Sequence, residues 1–384
     1  MSFTGSLRPS MADIAFLTER MRLGFGVDLV VDQVAAGLVE RGHGVTVYAS
    51  YEDGTYGHRP YRLERLGVPA MRYAPLYDLE ARRRARIAGL ASKPHDVFFV
   101  ETQPFFSLIP QLGGRAVAVD HGVVDTRGFP LWIRANFAYV EAVQQRWFFR
   151  GARRIVTVSE WLRGQLPASL RPRTVAIHNG ADHYVLASDE QAHALRRKLG
   201  VGDGEVMLLY LGRLNPSQQP YKGTAELLAT FATLHGDLPR ARLVMAGFGT
   251  DEDAAWVRGG GAIPFVNVPV DDMPALLGAA DLFVTASRWE GFNLNVVEAQ
   301  RAGAPAVAFR AGAHAEVVDD GNTGVLVESS RGFADAIREL VRDDGRRQAM
   351  SARAREWAAG FRWSDAVARY DQLIDETLNG RGVA

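Results

Sequence analysis

The chain has 384 residues, 44 Lys+Arg against 44 Asp+Glu, no cysteine and 47% hydrophobic residues. Balanced charge gives no electrostatic case for a nucleic-acid partner. The lack of cysteine excludes disulfides and thiolate metal sites, and no run approaches the roughly 18 apolar residues that span a bilayer. The length exceeds one ordinary core, so two domains are expected. The start, MSFTGSLRPS, is polar and lacks a signal-peptide core. A cytoplasmic location is therefore expected, with peripheral contact at the inner membrane face left open.

The first half alternates strand and helix. Residues 14–17 read as a strand, 22–26 as a glycine loop, 28–41 as a helix with apolar positions at helical spacing, and 45–49 as the next strand. Gly24 and Gly26 match the first two glycines of a dinucleotide fingerprint. Leu29 replaces the third, and the acidic residue expected after the second strand is missing, which counts against an oxidoreductase. The run EARRRAR at 80–86 fits a solvated helix face, or a patch for anionic lipid or phosphate. Strands are expected at 97–100 and 117–119. Glu101 follows the first, and Asp120 and His121 follow the second, where chemistry collects in such sheets. The aromatic, basic stretch 129–154 is expected to be one long helix packed on the core, the alternative being an interfacial patch for a lipid-linked acceptor. Strands at 155–159 and 175–177 lead into Asn179, Gly180, Ala181 and Asp182, and the domain boundary is placed near 182–188.

In the second half a strand at 206–211 ends in Gly212 and Arg213, and a loop carries the chain to Lys222 and a helix at 224–234. Strands at 242–249, with glycines at its exit, and at 265–270 precede a helix at 272–279. Two helices, about 332–342 and 346–360, precede a last one at about 364–378.

The most informative stretch is 281–309, DLFVTASRWEGFNLNVVEAQRAGAPAVAF. It reads as strand 282–285, a polar glycine loop, helix 294–302 stopped by Gly303, and strand 306–309. Ligands of open α/β sheets bind outside the carboxyl ends of the strands, so Glu290 and Glu298 are expected to face one crevice. The helix start between them suits a phosphate. A phosphate flanked by hydroxyl-bearing groups describes a nucleotide sugar.

Two glutamates eight positions apart around EGF, followed by EA and AGAPAVA, resemble the signature of retaining glycosyltransferases with the GT-B fold, of the group 1, family 4 type. The resemblance is strong over 206–327, fair at 179–182 and weak elsewhere in the first half. It implies two Rossmann-like α/β domains across a deep cleft. An acceptor-binding domain would span 1–183, joined by about 365–384 as the last helix crosses back, and a nucleotide-sugar domain would span 184–364. It also implies transfer of a hexose from a UDP- or GDP-linked sugar to a hydroxyl of a glycan, glycolipid or small metabolite. The configuration would be retained, with no metal and no cofactor beyond the donor.

By resemblance, Arg213 and Lys222 clasp the diphosphate, Glu290 bonds sugar hydroxyls, Glu298 accepts from the ribose, and His121 lies near the sugar. Gly24, Gly26, Gly212, Gly247, Asn293 and Leu294 complete the donor side. Glu101, Asp120 and Asp125 are the acceptor-side candidates. Asn293 departs from the pattern, which often has glycine there. An epimerase or phosphorylase of the same architecture, or a non-catalytic relative, are the rivals.

Overall fold

The computed structural model describes residues 11–379, the Gln145 side chain apart. The polar start at 1–10 and the end of the expected first domain at 380–384 lie outside the described residues. The chain divides into two compact units: Met1–Val123 with Ala135–His178 and Trp363–Ala384, and Val124–Arg134 with Asn179–Arg362.

The first unit is built on β1 (Asp13–Met21), β2 (Gly44–Glu52), β3 (Arg62–Arg65), β4 (Val97–Val100), β5 (Ala116–Asp120), β6 (Arg154–Thr157) and β7 (Thr174–Ala176). They form one sheet in the order β3-β2-β1-β4-β5-β6-β7, every pairing parallel. Both faces are covered. Val30, Val34 and Leu38 of helix Gly26–Glu40 and Val367, Tyr370 and Ile374 of helix Trp363–Asn379 bury one face. Tyr77, Ala81 and Ala85 of helix Ala74–Ile87 lie on the other, with Phe105, Phe106 and Phe149. Coverage on two sides explains why these strands are apolar throughout rather than alternating. The last helix is held by Asp371, which accepts from Arg41 Nη1 and His43 Nε2, each at 2.9 Å. The C-terminal segment thus belongs to the first unit although it follows the second in sequence.

The second unit holds β8 (Val206–Leu211), β9 (Ala241–Gly247), β10 (Ile263–Val266), β11 (Leu282–Thr285), β12 (Ala306–Phe309) and β13 (Gly324–Val327). Their order is β10-β9-β8-β11-β12-β13, again all parallel. The order reverses between β8 and β11, and the crevice beyond that point is where such sheets take ligands. These are Rossmann-like α/β units of the GT-B kind.

Several expectations change. Residues 131–151 are continuously helical, as expected, but the run is not α-helical throughout. An α-helix, Leu131–Val140, passes into a π-helical segment, Glu141–Phe148, and then a short α-helical end, Phe149–Gly151. Val140, Phe148 and Phe149 are buried, but Leu131, Trp132 and Trp147 are exposed. Val124–Arg134 groups with the second unit rather than the first, and the boundary falls at His178/Asn179. The cause is local packing: Phe129 lies 6.5 Å from the Tyr221 ring, and a Cβ on Gly128 would meet Pro220 at 2.9 Å. The strand expected at 265–270 ends at Val266, where Asn267 turns left-handed at φ 52°.

Candidate active site

In the second unit, the loop after β8 and the loop after β11 are locked together. The Arg288 N–H donates to the Tyr221 carbonyl at 2.7 Å. Gly223, at φ +66°, sits so close that a Cβ would be 2.2 Å from the Ala286 carbonyl oxygen. This contact delivers Lys222 to Glu290: its Nζ lies 2.8 and 3.0 Å from the two carboxylate oxygens. Burial works against the Lys222 charge, but Glu290 outweighs it and holds the ammonium above its usual range. Glu290 is 5% exposed and Lys222 half-buried, so the pair joins a buried carboxylate to a partly accessible cation at the sheet's switch point.

Gly212 and Gly247 form the floor. Gly247, at φ +127°, passes the end of β8 so closely that a Cβ would be 1.9 Å from the Gly212 carbonyl oxygen. Arg213 lies one residue further on, its Nη1 3.2 Å from Gln218 Oε1. Asn293 caps helix Leu294–Ala302 in a left-handed conformation, φ 69°, and Leu294 is the first helical residue, so the open N–H groups begin there. Its Nδ2 meets His314 Nε2 at 2.8 Å. Glu298, also 5% exposed, does not join Glu290. Its Oε1 lies 3.2 Å from His183 Nε2. The sequence therefore placed both glutamates correctly on the loop and helix, but each has its own partner.

In the first unit, Gly24 takes φ 85° in the loop after β1, and Gly26 opens helix Gly26–Glu40. His121 Nε2 lies 2.9 Å from Glu101 Oε2, joining the residues that follow β5 and β4. Asp120 is buried. Its Oδ1 accepts from Gly122 N–H at 2.9 Å, while Oδ2 has no hydrogen-bond partner among the described residues. Burial pushes its carboxyl up to about 6. Asp125 is apart from these: it pairs with Arg127 and lies in the second unit.

Residues 191–357 match the family description Glycosyl transferases group 1, and residues 26–185 match Glycosyltransferase Family 4. Two glycosyltransferase family models thus match, one in each half of the chain. A D-inositol 3-phosphate glycosyltransferase of Corynebacterium kroppenstedtii is 31% identical over 216 residues, covering 52% of this chain and 47% of the relative. A GDP-mannose-dependent alpha-(1-6)-phosphatidylinositol monomannoside mannosyltransferase of Mycolicibacterium smegmatis is 28% identical over 254 residues, covering 59% of this chain and 63% of the relative. The chain thus spans about half the length of the curated relatives it matches. Among solved structures, the lipopolysaccharide-biosynthesis glycosyltransferase WaaG superposes with a TM-score of 0.76 at 17% identity, over 94% of this chain and 99% of that one. Anabaena HepE, crystallised with UDP and glucose, gives 0.69 at 21%, over 96% and 100%. At these identities the likeness carries the fold alone.

Against that family frame, two histidines were overlooked in the sequence, His183 half-buried and His314 buried. His183 directly follows the Asn179–Asp182 turn, and His314 sits between Gly312 and Glu316. Both lay beside residues already singled out, yet a lone histidine carries no signal until its neighbour across the fold is known. Also overlooked was a cavity of about 410 Å³ in the first unit, lined by Glu19, Arg20, Ser50, Tyr51, Arg65 and Tyr77 among others. Its polar residues come from three strand ends and one helix, so no sequence window contains them.

Proposed function

We propose that this protein is a cytoplasmic retaining glycosyltransferase that moves a hexose from a nucleoside diphosphate sugar to a hydroxyl acceptor. The observation that carries the reading is the Lys222–Glu290 pair, which sits where a switch-point ligand would lie, beside the open end of helix Leu294–Ala302. Relatives and neighbours named for nucleotide-sugar chemistry support it, including the GDP-mannose-dependent enzyme and the UDP complex.

In the proposed reaction the donor's anomeric C–O bond to phosphate breaks as the acceptor oxygen bonds to the same carbon on the same face. The acceptor proton passes to the departing phosphate oxygen, leaving glycoside and nucleoside diphosphate. Charge grows on that phosphate, and Arg213, Lys222 and the N–H groups at Leu294 would stabilise it in place of a metal. Donor arrival would draw Lys222 partly from Glu290, freeing that carboxylate for sugar hydroxyls. Glu298 would accept from the ribose, with Gly24, Gly26, Gly212, Gly247 and Asn293 letting the backbone approach. His121, oriented by Glu101, would face the sugar. Asp120 and Asp125 remain acceptor-side proposals.

The acceptor reading draws on the first-unit cavity. Arg20 and Arg65 line it together with Glu19, Ser50 and Tyr77, and the Ser50 hydroxyl is buried with no hydrogen-bond partner among the described residues. A hydroxyl-rich anion fits such walls, and the inositol phosphate in the relatives' name is one. A lipid-linked acceptor has its own support. Leu76, Leu79 and Ile87 recur at helical spacing on helix Ala74–Ile87 and are exposed, beside exposed Arg83 and Arg86. No helix among the described residues is long and apolar enough to cross a membrane.

A thermal-shift panel of UDP, GDP, ADP and dTDP tests the core of the proposal. A selective rise of the midpoint with one nucleotide, lost in Arg213→Ala and Glu298→Ala, is expected. No rise with any nucleotide overturns it. Flotation with anionic vesicles tests the membrane contact, and absence of binding removes it.

A further inference from the structure

Asn293 stands where the family pattern often has glycine, and it keeps the left-handed backbone that glycine would supply, φ 69°. A side chain makes that region costly, though less so for asparagine than for most residues. Something must hold it there. The Asn293 side chain makes no capping bond to its own helix. It reaches instead to His314, Nδ2 to Nε2 at 2.8 Å.

His314 is itself fixed. It is fully buried, and its Nδ1 lies 2.7 Å from the Phe309 carbonyl oxygen. A carbonyl only accepts, so Nδ1 carries the proton. Nε2 then offers its lone pair, and the Asn293 amide must donate. The turn that carries His314 is docked on the loop that carries Asn293. The Ala313 N–H donates to the Glu290 carbonyl at 3.0 Å, and a Cβ on Gly312 would meet that same oxygen at 2.1 Å.

We propose that His314 is a positioning residue. It latches Asn293 in the left-handed conformation and so fixes the first N–H groups of helix Leu294–Ala302, a task glycine performs unaided. The ligand of those groups rests on the nucleotide-sugar reading above; the latch itself rests on the contacts just described.

The test uses the full chain with His314→Leu, Asn293→Ala, Asn293→Gly and the His314→Leu/Asn293→Gly double variant. Calorimetric Kd values for UDP, GDP and ADP and urea unfolding midpoints are measured for each. His314→Leu and Asn293→Ala are expected to weaken the bound nucleotide about ten-fold. Asn293→Gly is expected to weaken it less than Asn293→Ala, and the double variant to recover most of the His314→Leu loss, because glycine takes the turn without help. A lowered midpoint with unchanged Kd in His314→Leu overturns the positioning role, as does a double variant no better than His314→Leu. If His314→Leu does not fold, the Ala-against-Gly contrast at 293 decides. Wild-type protein that binds none of the three nucleotides overturns the nucleotide-sugar reading instead. The unfolding cycle then judges the latch: additive single effects overturn it, and a double variant more stable than their sum supports it.

Discussion

The two units handle buried charge differently. In the second, buried ions meet partners: Glu290 with Lys222, and Arg196 with Asp281 at 2.8 Å and three backbone carbonyls. In the first, Asp371 and Glu101 also meet partners, but burial raises three further acids. Burial pushes Asp28 up to about 7, with Arg20 pulling the other way, and raises Asp78 and Asp120 each to about 6. A charge couple held by interlocked loops keeps its geometry before a ligand arrives, whereas an acid with an unmatched oxygen favours its proton. The Lys222–Glu290 couple is therefore a fixed charge site, whereas Asp28, Asp78 and Asp120 are the groups of the first unit expected to respond to pH.

The sharpest way to break this contrast is Gly247→Ala. The new Cβ would fall 1.9 Å from a backbone oxygen, at a positive φ, and backbone cannot swing aside as a side chain can. A loss of about 4 kcal/mol or more is expected from urea unfolding, and a near-neutral result would show that the floor of the second unit is not rigid.

Next in size is Lys222→Ala, which leaves Glu290 buried without its cation. A cost of about 3 kcal/mol is expected, together with loss of nucleotide binding in calorimetry. Stability unchanged at neutral pH would mean that the couple is not a preformed charge site.

Smaller is the pH response of the first unit. Asp120 has a folded value of about 6 against an ordinary 3.8, so between these values the folded state holds the proton more tightly than the unfolded chain. Its contribution is full below pH 4 and is lost as pH rises through 6. About 1 kcal/mol should go between pH 5 and pH 7. Asp120→Asn should remove that slope from urea midpoints taken at the two pH values, and an unchanged slope would assign it to Asp28 and Asp78.

Much of the second unit could be read from its residues. The strands at 206–211, 282–285 and 306–309 and the helices at 224–234 and 294–302 lie where the apolar runs, glycine stops and strand-end loops place them. Parallel strands buried on both faces leave uninterrupted apolar runs, and Gly303 ends its helix at φ 99°. The positions of Arg213 and Glu290 on strand-exit loops, Lys222 before its helix and Glu298 on its helix followed from the same pattern. The helices Asp189–Lys198 and Asp251–Gly259, each opening on acidic residues, were not anticipated, although Ser188 and Thr250 form capping boxes there, because their apolar faces are short.

The linear chain thus determined the element types, the two-domain organisation and the family signature, since these depend on periodicity and on neighbours within a few residues. Only the tertiary structure decided who pairs with whom. It gave Glu290 to Lys222 and Glu298 to His183, set His314 under Asn293, and gathered the cavity beyond β1, β2 and β3. It also split the 129–154 stretch, because Phe129 and Gly128 pack on Tyr221 and Pro220. These contacts join residues from 21 to 115 positions apart or gather them from separate strand ends, set by sheet order and loop docking, and no local pattern of residues encodes that distance.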